Sequence, residues 1–291
     1  MTKRRNAAAL WLVATAVMAC DVAPEPTETR CNGSAALCAR RLDRVVFAAA
    51  HNAMSNADEG WQLPNQTHGL ARQLQDGVRG FQLDVYLYDG DDPKLAGATT
   101  FCHGLCALGA EKASAGFGKF KAFLDAHPGT VLVFVIEDHT DEARIEAALA
   151  EAGLLPLCAR LDLTQPMPTL GALVAAKTPV VVMTESGKGK APWNHAYEKL
   201  AWDVPYAYKT KDDFTCQPLR GSKANPIFVL NHFLTNPVAA KKYADDVNRH
   251  DVLGPRAQKC WTESGRLPNL LAVDFVDVGA VVAVAAELNG F

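Results

Sequence analysis

No stretch of this 291-residue chain reaches the roughly 20 apolar residues that a membrane-spanning helix requires. An almost wholly apolar run from Ala7 to Ala19 falls well short. Charge of one sign is not in excess either: the formal net charge is −3, with acidic and basic residues interspersed. That argues against nucleic acid as a main partner, because binding the phosphate backbone takes a basic stripe. No glycine-rich phosphate turn follows the first apolar run, which counts against a dinucleotide-binding sheet. Gly187-Lys188-Gly189-Lys190 lacks the spacing of a nucleotide-binding P-loop. No internal repeat, low-complexity tract or second composition regime is visible.

The chain opens with Met1-Thr2-Lys3-Arg4-Arg5, a basic segment ahead of the apolar run, and the pair fits a secretory signal peptide over residues 1–19. The run closes on Val17-Met18-Ala19-Cys20, which resembles a bacterial lipobox and implies cleavage before Cys20 and acylation of its sulfur. An ordinary signal peptide with a stray cysteine is the alternative. The expectation is an exported protein, either a lipoprotein held at a membrane surface by an acyl anchor or a secreted or periplasmic one. Residues 20–30, with two prolines, two glutamates and no apolar run, read as anchor cysteine and tether. Residues 31–291 suffice for one large domain. Of the eight cysteines, seven lie past Cys20, and an exported chain with that many should hold disulfides. Cys31 with Cys38 and Cys102 with Cys106 are the near pairs. Cys216 with Cys260 is a third option, leaving Cys158 as a buried thiol.

Short apolar runs alternate with helix-like stretches. Runs at 45–48, 78–86, 99–101, 131–136, 180–183, 227–230 and 270–273 read as strands, several continuous enough to be buried on both faces as in a parallel sheet. Helices are expected over 117–126, stopped by His127-Pro128-Gly129, and over 142–151. The alternation predicts an α/β fold. Nearly every strand candidate ends in a chemically capable side chain: His51, Asp84, His103, Glu137, Glu185, His232 or Asp274. A parallel barrel would gather such ends at one mouth.

Four blocks then carry a family resemblance. Ala50-His51-Asn52-Ala53-Met54-Ser55, Gly77-Val78-Arg79-Gly80-Phe81-Gln82-Leu83-Asp84-Val85-Tyr86, Cys102-His103-Gly104 and Val133-Phe134-Val135-Ile136-Glu137-Asp138-His139 occur in the order seen in the phosphatidylinositol phospholipase C X-domain family, which the chain resembles from Ala50 to His139. Leu271-Ala272-Val273-Asp274-Phe275 is similar to a late barrel strand of the same group. The resemblance implies a single-domain, TIM-like (β/α)8 barrel, in some members irregular. It implies cleavage of an inositol phospholipid or a related phosphodiester: a headgroup hydroxyl attacks phosphorus and expels diacylglycerol. Histidine suits both proton roles, since its pKa of about 6.5 lies near working pH. By resemblance His51 is the general base, His103 the general acid and Asp274 the carboxylate that orients His51. Arg79 either adds positive charge at the phosphate or is a structural residue under the barrel.

Calcium-dependent members of that family hold the ion through an asparagine after the first histidine and through acidic residues on the next strands. Metal-independent bacterial members carry basic residues at two of those acidic positions. Asn52, Asp84 and Glu137 match the metal-dependent pattern, and such hard oxygen donors suit Ca²⁺, with Mg²⁺ as the second choice. Gln82 stands where a glutamate is usual. Cys102-His103-Gly104-Leu105-Cys106 lacks a fourth zinc ligand at standard spacing, so a disulfide bracing the His103 loop is the better reading. Two rivals stay open. A glycerophosphodiester phosphodiesterase would present His-Arg-Gly near the first strand, where His51-Asn52-Ala53 stands. An inert headgroup- or sugar-binding lipoprotein would be expected to have lost one of the two histidines. A phosphoinositide or related phosphodiester substrate, a membrane surface and a monomeric chain complete the expectation.

Overall fold

The computed structural model describes residues 29–291, so the signal peptide and lipobox expectations lie outside the described residues. Ten strands form one sheet: β1 (Phe47–Ala50), β2 (Gly80–Leu87), β3 (Thr99–Cys102), β4 (Ala110–Lys112), β5 (Leu132–His139), β6 (Val180–Thr184), β7 (Asn194–Ala196), β8 (Ala201–Asp203), β9 (Ile227–Asn231) and β10 (Pro268–Val273). Eight of them pair in parallel in the order β7-β6-β5-β2-β1-β10-β9-β8. The β3–β4 hairpin hangs antiparallel from the outer half of β2. The sheet curls into a barrel left open along one seam, because β7 and β8 do not pair with each other. The four-residue helix Tyr197–Leu200 joins these two strands and buries Tyr197 and Leu200 in the barrel interior.

Two hydrophobic layers account for the curl. One lies outside the sheet, where Phe81, Phe134, Val182 and Leu271 meet the helices Ala113–Ala126, Glu142–Glu151 and Val281–Leu288. The other lies inside, where Ala49, Val133, Val181, Val229 and Ala272 face one another. Strand side chains alternate between these two faces. The interior is tight at Gly80, where an added Cβ would come within 2.7 Å of Ala49 Cβ and 2.9 Å of Leu270 Cδ2. Any larger residue there would push β1 and β2 apart.

The amino ends of the strands form a closed floor. Asn32 is tied to it by a reciprocal pair of bonds with Val131 (3.2 and 2.8 Å), beside the Cys31–Cys38 disulfide. Asn289 makes the same kind of pair with Val46 (3.0 and 2.7 Å). Both ends of the described chain therefore meet the barrel at this floor. All three expected disulfides form, and Cys158 is a buried thiol. The expected strand at 99–101 is present, but as part of the side hairpin. The barrel positions it was expected to help fill belong to the short strands β7 and β8.

Candidate active site

The inward parity set by Ala49, Val135, Met183, Val229 and Ala272 continues past the apolar interior into polar residues. Two residues further along each chain segment stand His51, Glu137, Glu185, Asn231 and Asp274. On β2 the same face carries Gln82 and Asp84, with Asp84 paired in register with Glu137. The candidate residues thus share the barrel's interior face at its carboxyl end. All of them but Asp274 line a polar cavity of about 170 Å³, which has His51, Asn52, Asp84, Glu137, Glu185 and Arg220 on its walls.

His51 is fixed on three sides. Its Nδ1 lies 2.8 Å from Asp274 Oδ1, and Asn65 Nδ2 donates to the same oxygen at 3.0 Å. Its ring stacks on Phe233 at 3.8 Å and 7°. Gln66 Nε2 donates to the carbonyls of His51 (2.7 Å) and Val273 (3.1 Å), lashing the end of β1 to the end of β10. Asp274 is buried, so its carboxylate sets the tautomer that leaves His51 Nε2 facing the cavity.

His103 arrives differently. It sits on the tip of the β3–β4 hairpin, inside the five-residue loop closed by Cys102–Cys106. Its Nε2 lies 3.1 Å from Asn52 Nδ2, the contact that joins the hairpin tip to β1. Burial, followed by the neighbouring His51, pushes the His103 pKa below the usual histidine value. Asn52 adopts a left-handed backbone conformation (φ 44°), at the turn where its amide meets His103.

A second, larger cavity of about 570 Å³ adjoins the first. His51 and Asn52 lie on both, while His103 lies on the second alone. Trp61, Leu63, Leu105, Leu108, Phe233 and Val238 give it an apolar lining. Leu63, Leu105 and Val238 are exposed at its rim.

The carboxylates are close enough to disturb one another. Burial raises the Asp84 pKa well above the usual carboxylate range, and the negative charges of Glu137 and Glu185 add to the rise. Among the described residues no three His, Cys, Asp or Glu side chains converge as on a metal ion. The set here is instead two carboxylates, Asp84 and Glu137, with the amide side chains of Asn52 and Gln82. Gln82 Oε1 is buried without a partner, while its Nε2 contacts Asn231 at 3.3 Å. Asn52 directs its nitrogen to His103, which leaves its oxygen for another partner. Hard oxygen donors around mutually repelling carboxylates fit a divalent cation such as Ca²⁺ or Mg²⁺. Glu137 is held meanwhile by His139 Nε2 at 2.6 Å, and His139 stacks on Tyr86.

Arg79 is a correction. It precedes β2, at the floor of the barrel, about 16 Å from Asp84 at ~3.3 Å per strand residue. Its Nη1 donates to the carbonyls of Leu74 (2.7 Å) and Val78 (2.8 Å), and its guanidinium lies over Phe123. It lines a floor crevice and is outside both catalytic-end cavities. At the end of β9, Asn231 and Phe233 reach the polar cavity, whereas His232 points away and bonds Val247 and Arg256. Trp193 and Trp202 are core residues, and the exposed Tyr206 lines both cavities. Asn65, Gln66 and Arg220 went unread in the sequence as site residues. Arg220 lies in an irregular segment with no strand pattern to announce it.

A family model described as PI-PLC X 1 matches residues 37–289. An Arabidopsis thaliana PI-PLC X domain-containing protein is 27% identical over 273 residues, covering 86% of this chain and 62% of that protein. An uncharacterized secreted protein of Arthroderma benhamiae is 26% identical, covering 91% of this chain and 65% of its own length. The chain thus spans less than two thirds of these two relatives. A PI-PLC X domain-containing protein of the same fungus is 24% identical, with 97% of each chain covered. Among solved structures, a phosphatidylinositol-specific phospholipase C of S. aureus superposes with a TM-score of 0.55 at 14% identity, covering 87% of this chain and 95% of that one. That likeness shows the fold.

Proposed function

Because the chain belongs to the PI-PLC X domain family, we propose that it is a phospholipase C-like phosphodiesterase that cleaves the headgroup from a glycerophospholipid. One observation carries the reading: the histidines stand where two cavities of opposite character adjoin. His51 borders both the polar cavity and the apolar one beside it, and His103 borders the apolar one alone. A phospholipid has this same asymmetry, with a hydroxylated headgroup on one side of phosphorus and an apolar glycerolipid on the other.

In this reading, His51 Nε2 takes the proton of the attacking headgroup hydroxyl. Asp274 on Nδ1 stabilises the imidazolium that results. His103, at the apolar cavity, delivers a proton to the departing glycerolipid alkoxide. Asn52, Gln82, Asp84 and Glu137 would hold a divalent cation, Ca²⁺ before Mg²⁺. Such an ion supplies positive charge to the phosphate oxygens. The need for it is electrostatic, since Asp84, Glu137 and Glu185 would otherwise repel an anionic diester. Attack by the headgroup hydroxyl yields a cyclic inositol phosphate, and an open one forms only if water then attacks that phosphorus.

Three disulfides and the resemblance to a secreted fungal protein support export, and the apolar cavity rim supports work at a lipid surface. The test is release of inositol phosphate from phosphatidylinositol by the purified chain, with calcium or with chelator. Calcium-dependent release is expected. Release that ignores chelator would remove the cation from the scheme. Absence of release, together with turnover of glycerophosphodiesters, would favour the rival phosphodiesterase.

A further inference from the structure

A third cavity, of about 470 Å³, opens at the floor of the barrel, at the end of the strands away from the histidines. Its volume falls in the range of roughly 300–1,000 Å³ common to small-molecule pockets. Leu37, Val45, Phe47, Val282, Ala286 and Phe291 give it apolar walls. Arg30 and Arg79 line it as well, and among the described residues no aspartate or glutamate does. The side-chain amides of Asn32 and Asn289, also in its walls, are spent on the backbone of Val131 and Val46.

Arg79 gives the crevice its chemistry. Its Nη1 is spent on the carbonyls of Leu74 and Val78, and its Nε is buried without a partner. Among the described residues it meets no acidic side chain, and its Nη2 makes no hydrogen bond. The two carbonyls and the ring of Phe123 offset part of the positive charge, but none of them carries a negative one. Burial lowers the Arg79 pKa to about 10, so the guanidinium is still charged at neutral pH. A charged side chain taken out of water is nearly always paired. Arg30, exposed at the rim, donates to the Gly33 carbonyl at 3.5 Å and leaves its charge unmatched too. A purely apolar occupant would desolvate Arg79 further and return nothing to it. A small inorganic anion would leave the apolar walls uncovered. A carboxylate on an apolar tail satisfies both, with guanidinium N–H groups as its donors.

We propose that the floor crevice is a second binding site, for a long-chain carboxylate, with the carboxylate at Arg79 and the tail along Val282, Ala286 and Phe291. The site stands apart from the catalytic mouth, and it holds or fails independently of the phospholipase reading. The test is titration calorimetry of the full chain with dodecanoate below its micelle concentration, with dodecanol and acetate as controls. Dodecanoate is expected to bind, and each control about tenfold or more weaker, the scale of one hydrogen bond to a charged group. Arg79→Met should weaken dodecanoate by a similar factor. Ala286→Trp fills the crevice while keeping Arg79 and its two carbonyls, and should abolish the binding. Circular dichroism reports whether the variants fold; if Arg79→Met does not, Ala286→Trp and the two controls decide. Dodecanol binding as well as dodecanoate, or a folded Arg79→Met chain with unchanged affinity, would overturn the charge recognition on which the proposal stands. Unchanged affinity in folded Ala286→Trp would move the amphiphile to the apolar cavity beside His103 and overturn the floor site. No dodecanoate binding by the full chain would also overturn it; sedimentation and hydrogen exchange would then show whether a second copy, or the residues ahead of Thr29, cover the crevice instead.

Discussion

The two histidines stand in contrasting parts of the molecule. His51 belongs to the barrel: it follows a central strand, its partner Asp274 follows the neighbouring strand, and Gln66 ties the two ends together. His103 belongs to an appendage: its hairpin pairs with the outer half of β2, and its loop is closed by its own disulfide. The contrast teaches that two proton-transfer groups can be positioned by different means. Position is set for one by the sheet, through packing shared with the whole core. For the other it is set locally, by a covalent staple and one amide contact from Asn52.

The largest effect expected is at the histidines themselves. His51→Ala and His103→Ala should each lower kcat by ~10²–10⁴-fold with little loss of stability; near-wild-type turnover in either would remove its role. Asp84→Asn should weaken calcium binding by ~10–100-fold in titration calorimetry. In chelator the same variant should melt a few degrees higher, because burial and like-charge repulsion both oppose ionised Asp84. An unchanged calcium isotherm would take Asp84 out of the cation set.

The staple is tested by paired deletions. Replacing Cys102 and Cys106 by serine should lower kcat ~10-fold or more through misplacement of His103. Replacing Cys31 and Cys38 by serine should cost a similar stability, about 2 kcal/mol for a short loop, and leave kcat alone. Equal kinetic losses in the two would erase the distinction between staple and scaffold. A smaller effect concerns pH. A general acid works while protonated, and the His103 pKa is depressed, so activity should fall with rising pH through a midpoint below 6.5. A midpoint above 7 in the kcat/KM profile would assign the acid role elsewhere. Smallest in activity is Arg79→Met, which should leave kcat within about twofold while costing ~1–3 kcal/mol by stranding two carbonyls.

The sequence was most legible where strand periodicity and chemistry coincide. His51, Asp84, Glu137 and Asp274 each sit in or just beyond an apolar run, so one rule about strand ends finds them together. The helix expected over 142–151 is the helix observed, Glu142–Glu151, with Asp141 capping it. Arg79 shows the limit of a motif: three residues from Gln82 along the chain, it stands at the opposite end of the strand's reach. β7 and β8, three residues each, are too short to leave a periodic signal. Arg220 is placed by Asp203 and Glu185, contacts made only after the chain has folded.

The clamps of Asn32 and Asn289 onto the barrel floor give the molecule a polarity like that of a cup on a stem. The described chain begins at the base, while the lip with Leu63, Leu105 and Val238 faces the other way. Force or attachment at the stem reaches the bowl only through the length of the strands. A chain held by that end would present its opening outward, toward whatever surface lies across the gap.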